Sequence, residues 1–200
     1  MSKRDQAHEA TRQRIIAATL SLHTEKGVLG TSWRDIAGRA DVAVATVYNH
    51  FPSLAELVPA CGELLMERLR PPSPQDAAAV VGDAGTPSER LERIARELFA
   101  FYERGGAHLE FFPGERELPS MREWETYQRK TVESFVRAAL RGHPPGARTV
   151  PLICALFDLG TFRSLKERGV GVEEAVTAMT DAAVRVLERV ERPRKGKGKR

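Results

Sequence analysis

A chain of 200 residues, 42% hydrophobic and 29% charged, is long enough for one or two compact domains with a buried core. No apolar run approaches the roughly 20 residues that span a bilayer, residues 1–10 are too polar for a signal peptide, and Cys61 and Cys154 lie far apart in apolar helical contexts. A soluble protein of the reducing cytoplasm is therefore expected, without membrane contact or a disulfide framework.

The net charge of +4 is unevenly spread, since six of the 31 Lys and Arg fall in residues 192–200 and the rest of the chain is slightly acidic. The basic balance alone thus does not argue for nucleic acid. Residues 193–200 have the composition of a disordered arm, either a solvated end or a weak, sequence-blind hold on phosphates. At the other end Lys3, Arg4, Arg12 and Arg14 could enter a minor groove if that segment is flexible.

The first predicted helix covers 12–26, with Ile15, Ile16 and Leu22 as its apolar residues. Ser32 and Asp35 then have the spacing of a capping box, and Ile36, Ala37 and Ala40 fall on one apolar face behind it. A turn at Asp41 and Val42 leads into a second helix of about two turns, from Ala43 or Val44 to His50. Val44 and Val47 are expected inward, with Ala45, Thr46, Tyr48, Asn49 and His50 outward. A helix this short persists only when packed on neighbours. The flanking helix over 53–70, with Leu57, Leu64 and Leu65, supplies the other wall. Two short helices joined by a tight turn are a DNA-reading shape.

Pro71, Pro72 and Pro74 end that flanking helix, and a Gly- and Ala-rich connection with room for one short helical turn runs to Gly85. Thr86 and Glu89 form a second capping box with Pro87 at the first helical position, opening a helix to about residue 104 with Leu91, Ile94, Leu98 and Phe101 or Tyr102 inward. Gly105 and Gly106 stop it. Residues 107–119 read as a loop with a short helix. A further helix is expected from a Ser120/Glu123 box through Met121, Trp124, Tyr127, Thr131, Phe135 and Ala138. The last two helices, 149–167 and 172–191, are separated by Arg168, Gly169, Val170 and Gly171 and should form an antiparallel hairpin. In the second of them Val172, Val176, Met179, Ala183, Val186 and Val190 alternate steps of four and three, a narrow seam suited to helix-on-helix packing, either inside the subunit or across a dimer. The expectation is an all-α protein without strands or internal repeats.

In Ala18, Leu22, Gly27, Thr31, Ser32, Asp35, Ile36, Ala37, Ala40, Val42, Thr46, Tyr48, His50 and Phe51, the chain resembles the TetR family of bacterial transcriptional regulators over roughly residues 12–58. It departs from the family pattern at Ala43, where a capping Ser is usual, at Ala45, where Gly is common, at His23, where an aromatic is usual, and at Leu54, where Lys is frequent. The missing Ser should cost the second helix about 1 kcal/mol.

The resemblance implies a helix-turn-helix DNA-binding domain over 1–52 and a helical effector-binding and dimerisation domain over 53–192. It also implies a homodimer through the last two helices on a pseudo-palindromic double-stranded DNA operator, most often as a repressor. Thr46, Tyr48 and His50, with Thr31, would then hold phosphates, and Val44, Ala45 and Asn49 would face the bases. A small-molecule effector, apolar or aromatic, would bind among Phe99, Tyr102, Phe111, Phe112, Trp124, Tyr127 and Phe157. Its polar handles would come from His108, Cys154, Asp158 and Arg163, and its binding would release the DNA.

The competing reading is a helical enzyme or metal protein using His108, Glu110, Glu115 and Glu117. That cluster lacks metal-ligand spacing, and the sequence holds no His-Glu-x-x-His, zinc cysteine pair, Gly-rich phosphate loop or Gly-x-Ser-x-Gly elbow. Neither enzymatic activity nor a cofactor is expected.

Overall fold

The computed structural model describes residues 2–143 and 146–191, with side chains as far as residue 189. Among these the chain is helical with no strand. Its helices are α1 (Lys3–Lys26), α2 (Trp33–Ala40), α3 (Val44–His50), α4 (Leu54–Leu69), α5 (Ala77–Val81), α6 (Pro87–Gly105), α7 (Pro119–Ala139), α8 (Thr149–Leu156), α9 (Leu159–Glu167) and α10 (Val172–Glu191). Single 3₁₀ turns lie at Pro74–Asp76, Gly106–Leu109 and Glu115–Glu117. The basic tail expected at 193–200 lies outside the described residues, as does the side chain of Val190.

The chain divides into two compact units, one of Met1–Pro71 with Gly105–Trp124 and the other of Pro72–Arg104 with Glu125–Arg200. The boundary expected at 52/53 thus falls inside the first unit. There Ile15, Ile16, Ile36, Val47, Phe51 and Leu57 form one buried core, with Trp33, Val42, Leu64 and Leu65 packed against it. Burial of this apolar set is what allows helices of seven and eight residues to persist.

Helix α1 begins at Lys3, well before the expected start at 12. Ser2 is its N-cap, accepting a hydrogen bond from the Asp5 N–H while the Asp5 carboxylate accepts one from the Ser2 N–H. The first turns carry no apolar face, and all of residues 2–10 are exposed.

In the second unit the core is built from Leu91, Ile94, Leu98 and Phe99 of α6, Phe135 and Val136 of α7, Ile153 of α8, Phe162 of α9, and Ala175, Val176, Ala183 and Leu187 of α10. Three sequence expectations are corrected here. The helix expected over 149–167 is two helices, because the chain turns at Phe157 and Asp158 caps α9 by accepting from the Thr161 N–H at 2.8 Å. Helix α7 starts at Pro119, with the Met121 and Arg122 N–H groups donating to the Leu118 carbonyl, so Ser120 is already inside the helix. On α10 the buried face is Ala175, Val176, Thr180, Ala183 and Leu187, leaving Val172, Met179 and Val186 of the expected seam only half-buried.

Candidate nucleic-acid interface

The turn between α2 and α3 closes at Asp41, whose φ of 52° places it in the left-handed region, a conformation that Asp tolerates better than most L-residues. Its N–H reaches back to the Gly38 carbonyl and that of Val42 to Ala37, which ends α2 and turns the chain into α3. Helix α3 is pinned by Val47, which is 0% exposed. Around that anchor Val44, Ala45, Tyr48 and Asn49 face solvent, while Thr46 and His50 are half-buried. Val44, expected inward, is 37% exposed. Val47 is the buried residue of α3, and Val44, about one turn before it, lies on the exposed side.

Three contacts outside the recognised motif hold these side chains. The Trp33 ring lies against Tyr48 with centroids 4.9 Å apart, and His8 against His50 at 4.2 Å. The Arg12 guanidinium sits 4.9 Å from the centre of the Phe51 ring, a cation–π contact at the joint between α3 and α4. Sequence reasoning did not single out His8 or Trp33. The usable signal for His8 was the Ser2/Asp5 spacing, which extends α1 far enough to bring residue 8 beside residue 50. No pattern in the sequence pointed to Trp33.

The Nδ1 atom of His50 is buried without a hydrogen-bond partner. Burial first, then the charges of His8 and Arg12, hold its pKa below the ordinary 6.5, with Glu9 opposing. Thr31 donates its hydroxyl hydrogen to the Gly27 carbonyl at 2.6 Å, so its oxygen lone pairs, rather than its proton, remain for further contacts. The Ser32/Asp35 capping box forms as expected, and Lys26 pairs with Asp35 at 2.7 Å. Helix α3 has no such cap: Ala43 stands at its N-cap and makes no side-chain hydrogen bond. Ala43→Ser should therefore stabilise the first unit by about 1 kcal/mol, read as a rise in the urea midpoint at constant slope.

The effector-site candidates are divided between the two units. In the second unit Phe99, Tyr102 and Phe157 form a buried cluster with Phe162, which sequence reasoning missed; Phe99 and Phe162 are 5.1 Å apart. The Tyr102 hydroxyl donates to the Phe157 carbonyl at 3.1 Å, and burial pushes its pKa well above the usual phenol range. Cys154 is a half-buried free thiol pushed up to about 11, chiefly by burial, and Cys61 is also free. Asp158 serves as the α9 cap, while Tyr127 and Arg163 are half-buried.

His108, Phe111, Phe112 and Trp124 belong to the first unit instead. The candidate ligand cluster there is also dispersed: His108 pairs with Thr24 at 2.9 Å, Glu117 with Arg122, and Glu115 is buried among backbone N–H groups. Among the described residues no group of three or more His, Cys, Asp or Glu is placed to hold a metal ion, and no helix is long and apolar enough to cross a membrane.

Comparison with known proteins agrees with this geometry. Residues 15–61 match the family of bacterial regulatory proteins, tetR family. The chain is 37% identical over 93 residues to the HTH-type transcriptional repressor KstR of Mycolicibacterium smegmatis, covering 46% of this chain and 44% of that protein. It is 30% identical over 94 residues to the HTH-type transcriptional repressor DrrR1 of Streptomyces coeruleorubidus, covering 47% of this chain and 32% of that one. The match thus spans less than half the length of these curated relatives. In fold, the likeness extends further: a TetR-like transcriptional regulator from Rhodococcus sp. RHA1 superposes with a TM-score of 0.63 at 20% identity, over 89% of this chain and 96% of that one.

Proposed function

We propose that this chain, whose residues 15–61 match the tetR family of bacterial regulatory proteins, is a DNA-binding transcriptional regulator, a repressor that grips a palindromic operator as a homodimer and lets go when a small molecule binds its helical domain. The observation that carries the proposal is the row Val44, Ala45, Tyr48 and Asn49, exposed on a helix whose orientation is fixed by buried Val47. Residues spaced in this way present one continuous face to a major groove.

Within that reading the roles separate by chemistry. Thr46, Tyr48 and His50 hold phosphates and set the depth of the helix, whereas Thr31, expected to join them, spends its hydroxyl proton and its N–H on its own loop and has no donor left for a phosphate. Val44 and Ala45, small and apolar, press thymine methyls, and Asn49 offers an amide to a base edge. Two readers related by a two-fold axis require a two-fold operator. Dimerisation is assigned to α8 and α10, on which Leu152 is 51% exposed and Val172, Met179 and Val186 stay half-buried. An apolar or aromatic effector suits the cluster of Phe99, Tyr102, Phe157 and Phe162, whose one hydroxyl is already bonded to backbone.

The test is selection of bound duplexes from a random pool by the purified full chain, repeated with an apolar compound library present. Recovery of a sequence with two-fold symmetry, lost with particular compounds, is the expected result. Retention of no preferred sequence at physiological ionic strength would reject the DNA-reading role.

A further inference from the structure

The loop between α1 and α2 is held by a residue from far along the chain. Helix α1 stops at Gly27, and the next two N–H groups, of Val28 and Leu29, both donate to Oε1 of Glu115 at 2.5 and 3.2 Å. The other carboxylate oxygen, Oε2, accepts from the Phe112 N–H at 3.0 Å. The side chain is 3% exposed. A carboxylate out of water is tolerated when amide hydrogens replace its hydration, and charge-assisted bonds of this kind are stronger than neutral ones. Gly27 makes the approach possible: a Cβ there would stand 2.4 Å from Oε1 and 3.0 Å from the Phe112 ring.

The held loop leads directly to the reader. The Thr31 N–H donates to the Val28 carbonyl at 3.3 Å and the Thr31 hydroxyl to the Gly27 carbonyl at 2.6 Å. Ser32, the next residue, caps α2. Displacing Val28 and Leu29 therefore moves Thr31 and the start of α2 together. A second tie, Thr24 to His108 at 2.9 Å, joins the same two segments.

We propose that Glu115 is a positioning residue for DNA binding, its carboxylate fixing the α1–α2 loop so that Thr31 and α2 stand in register with α3. The proposal rests on the DNA-reading function above. It makes residues 105–124, which run without a break from α6 into α7, the part of the chain through which the reader is held in its binding shape.

The sign of one measurement separates this role from its alternatives. Removing a carboxylate from a DNA-binding protein should, by charge alone, tighten binding, because it lessens repulsion of phosphates. Loss of the latch should do the reverse. Binding of the full-length Glu115→Ala variant to the duplex selected by the wild-type chain is measured by fluorescence anisotropy at 20 °C, with folding checked by circular dichroism. We expect affinity to fall tenfold or more. Hydrogen exchange should quicken at Val28, Leu29 and α2, while the Ile15 and Ile16 amides stay protected.

Glu115→Gln provides the same readout where the alanine variant fails to fold. It keeps an acceptor for Val28 and Leu29 but turns an NH₂ towards the Phe112 N–H, and should lose threefold or more. Unchanged or tighter binding by a folded variant overturns the proposal. Absence of duplex binding by the wild-type chain instead overturns the function on which it rests.

Discussion

Replacing Tyr48 and His50 together by alanine is expected to weaken binding to every duplex by a similar factor, while leaving the preferred sequence unchanged. Each residue contributes one phosphate contact in the proposed complex, so a dimer loses four. At about 0.5–1 kcal/mol net for each hydrogen bond, the loss is roughly 2–4 kcal/mol, or on the order of 30- to 1000-fold. Neither side chain belongs to the anchor of α3, which is Val47, so thermal stability should change little. An affinity within twofold of wild type would remove both residues from the interface.

The same pair predicts a pH dependence. His50 is held below its ordinary 6.5 by burial, then by His8 and Arg12, so in the free protein its ring is neutral at pH 7. A phosphate beside it favours the imidazolium, so binding takes up a proton. Affinity of the wild-type chain should therefore rise as pH falls from about 7.5 to 6, with a steeper salt dependence at the lower pH, and the double variant should show neither. Folding stability responds in the opposite sense. A histidine with a depressed pKa contributes its stability fully above 6.5, and loses it as the pH falls below that value, because the unfolded chain takes up the proton first. His8→Ala removes one of the depressing charges, so the binding effect should move to higher pH while the stability effect shrinks, its upper limit at 6.5 being set by the unfolded chain.

What could be read from the sequence was whatever a local pattern encodes. Ser32 with Asp35, inward Val47 and the stop at Arg70 follow from spacing and capping alone, and the all-helical architecture follows from repeated three- and four-residue periodicity. What escaped depended on partners distant in the chain. The first turns of α1 have no apolar period, yet His8 there meets His50 of α3. The break between α8 and α9 follows an apolar run, and Asp158 behind it caps α9.

Glu115 is the sharpest case. Beside His108, Glu110 and Glu117 it invited a metal-site reading, yet besides the nearby Phe112 N–H its partners are amides 86 and 87 positions earlier. The seam on α10 was offset for a similar reason: a helix packed on one side buries a face centred where its neighbour lies, and sequence spacing alone cannot locate that neighbour.

Phe51→Ala should have the largest effect on the fold. The ring is 2% exposed and shares the core of the first unit with Ile15, Ile36, Val47 and Leu57. Its N–H closes α3 on the Val47 carbonyl at 2.8 Å, and Arg12 lies over its face. Truncating a buried phenylalanine costs about 3–5 kcal/mol, a large part of the 5–15 kcal/mol that typically separates folded from unfolded states. The first unit should then be substantially unfolded at 37 °C, with the Trp33 environment lost in near-ultraviolet circular dichroism and the urea midpoint sharply lowered. DNA binding would disappear with the fold. Phe51→Leu or Phe51→Met fills most of the volume and should recover most of the stability. It will also recover binding if Phe51 acts only through packing. A Phe51→Leu variant that regains its urea midpoint but not its affinity would show that the aromatic face under Arg12 also sets the geometry of α3, since that contact is the one feature an aliphatic side chain cannot restore.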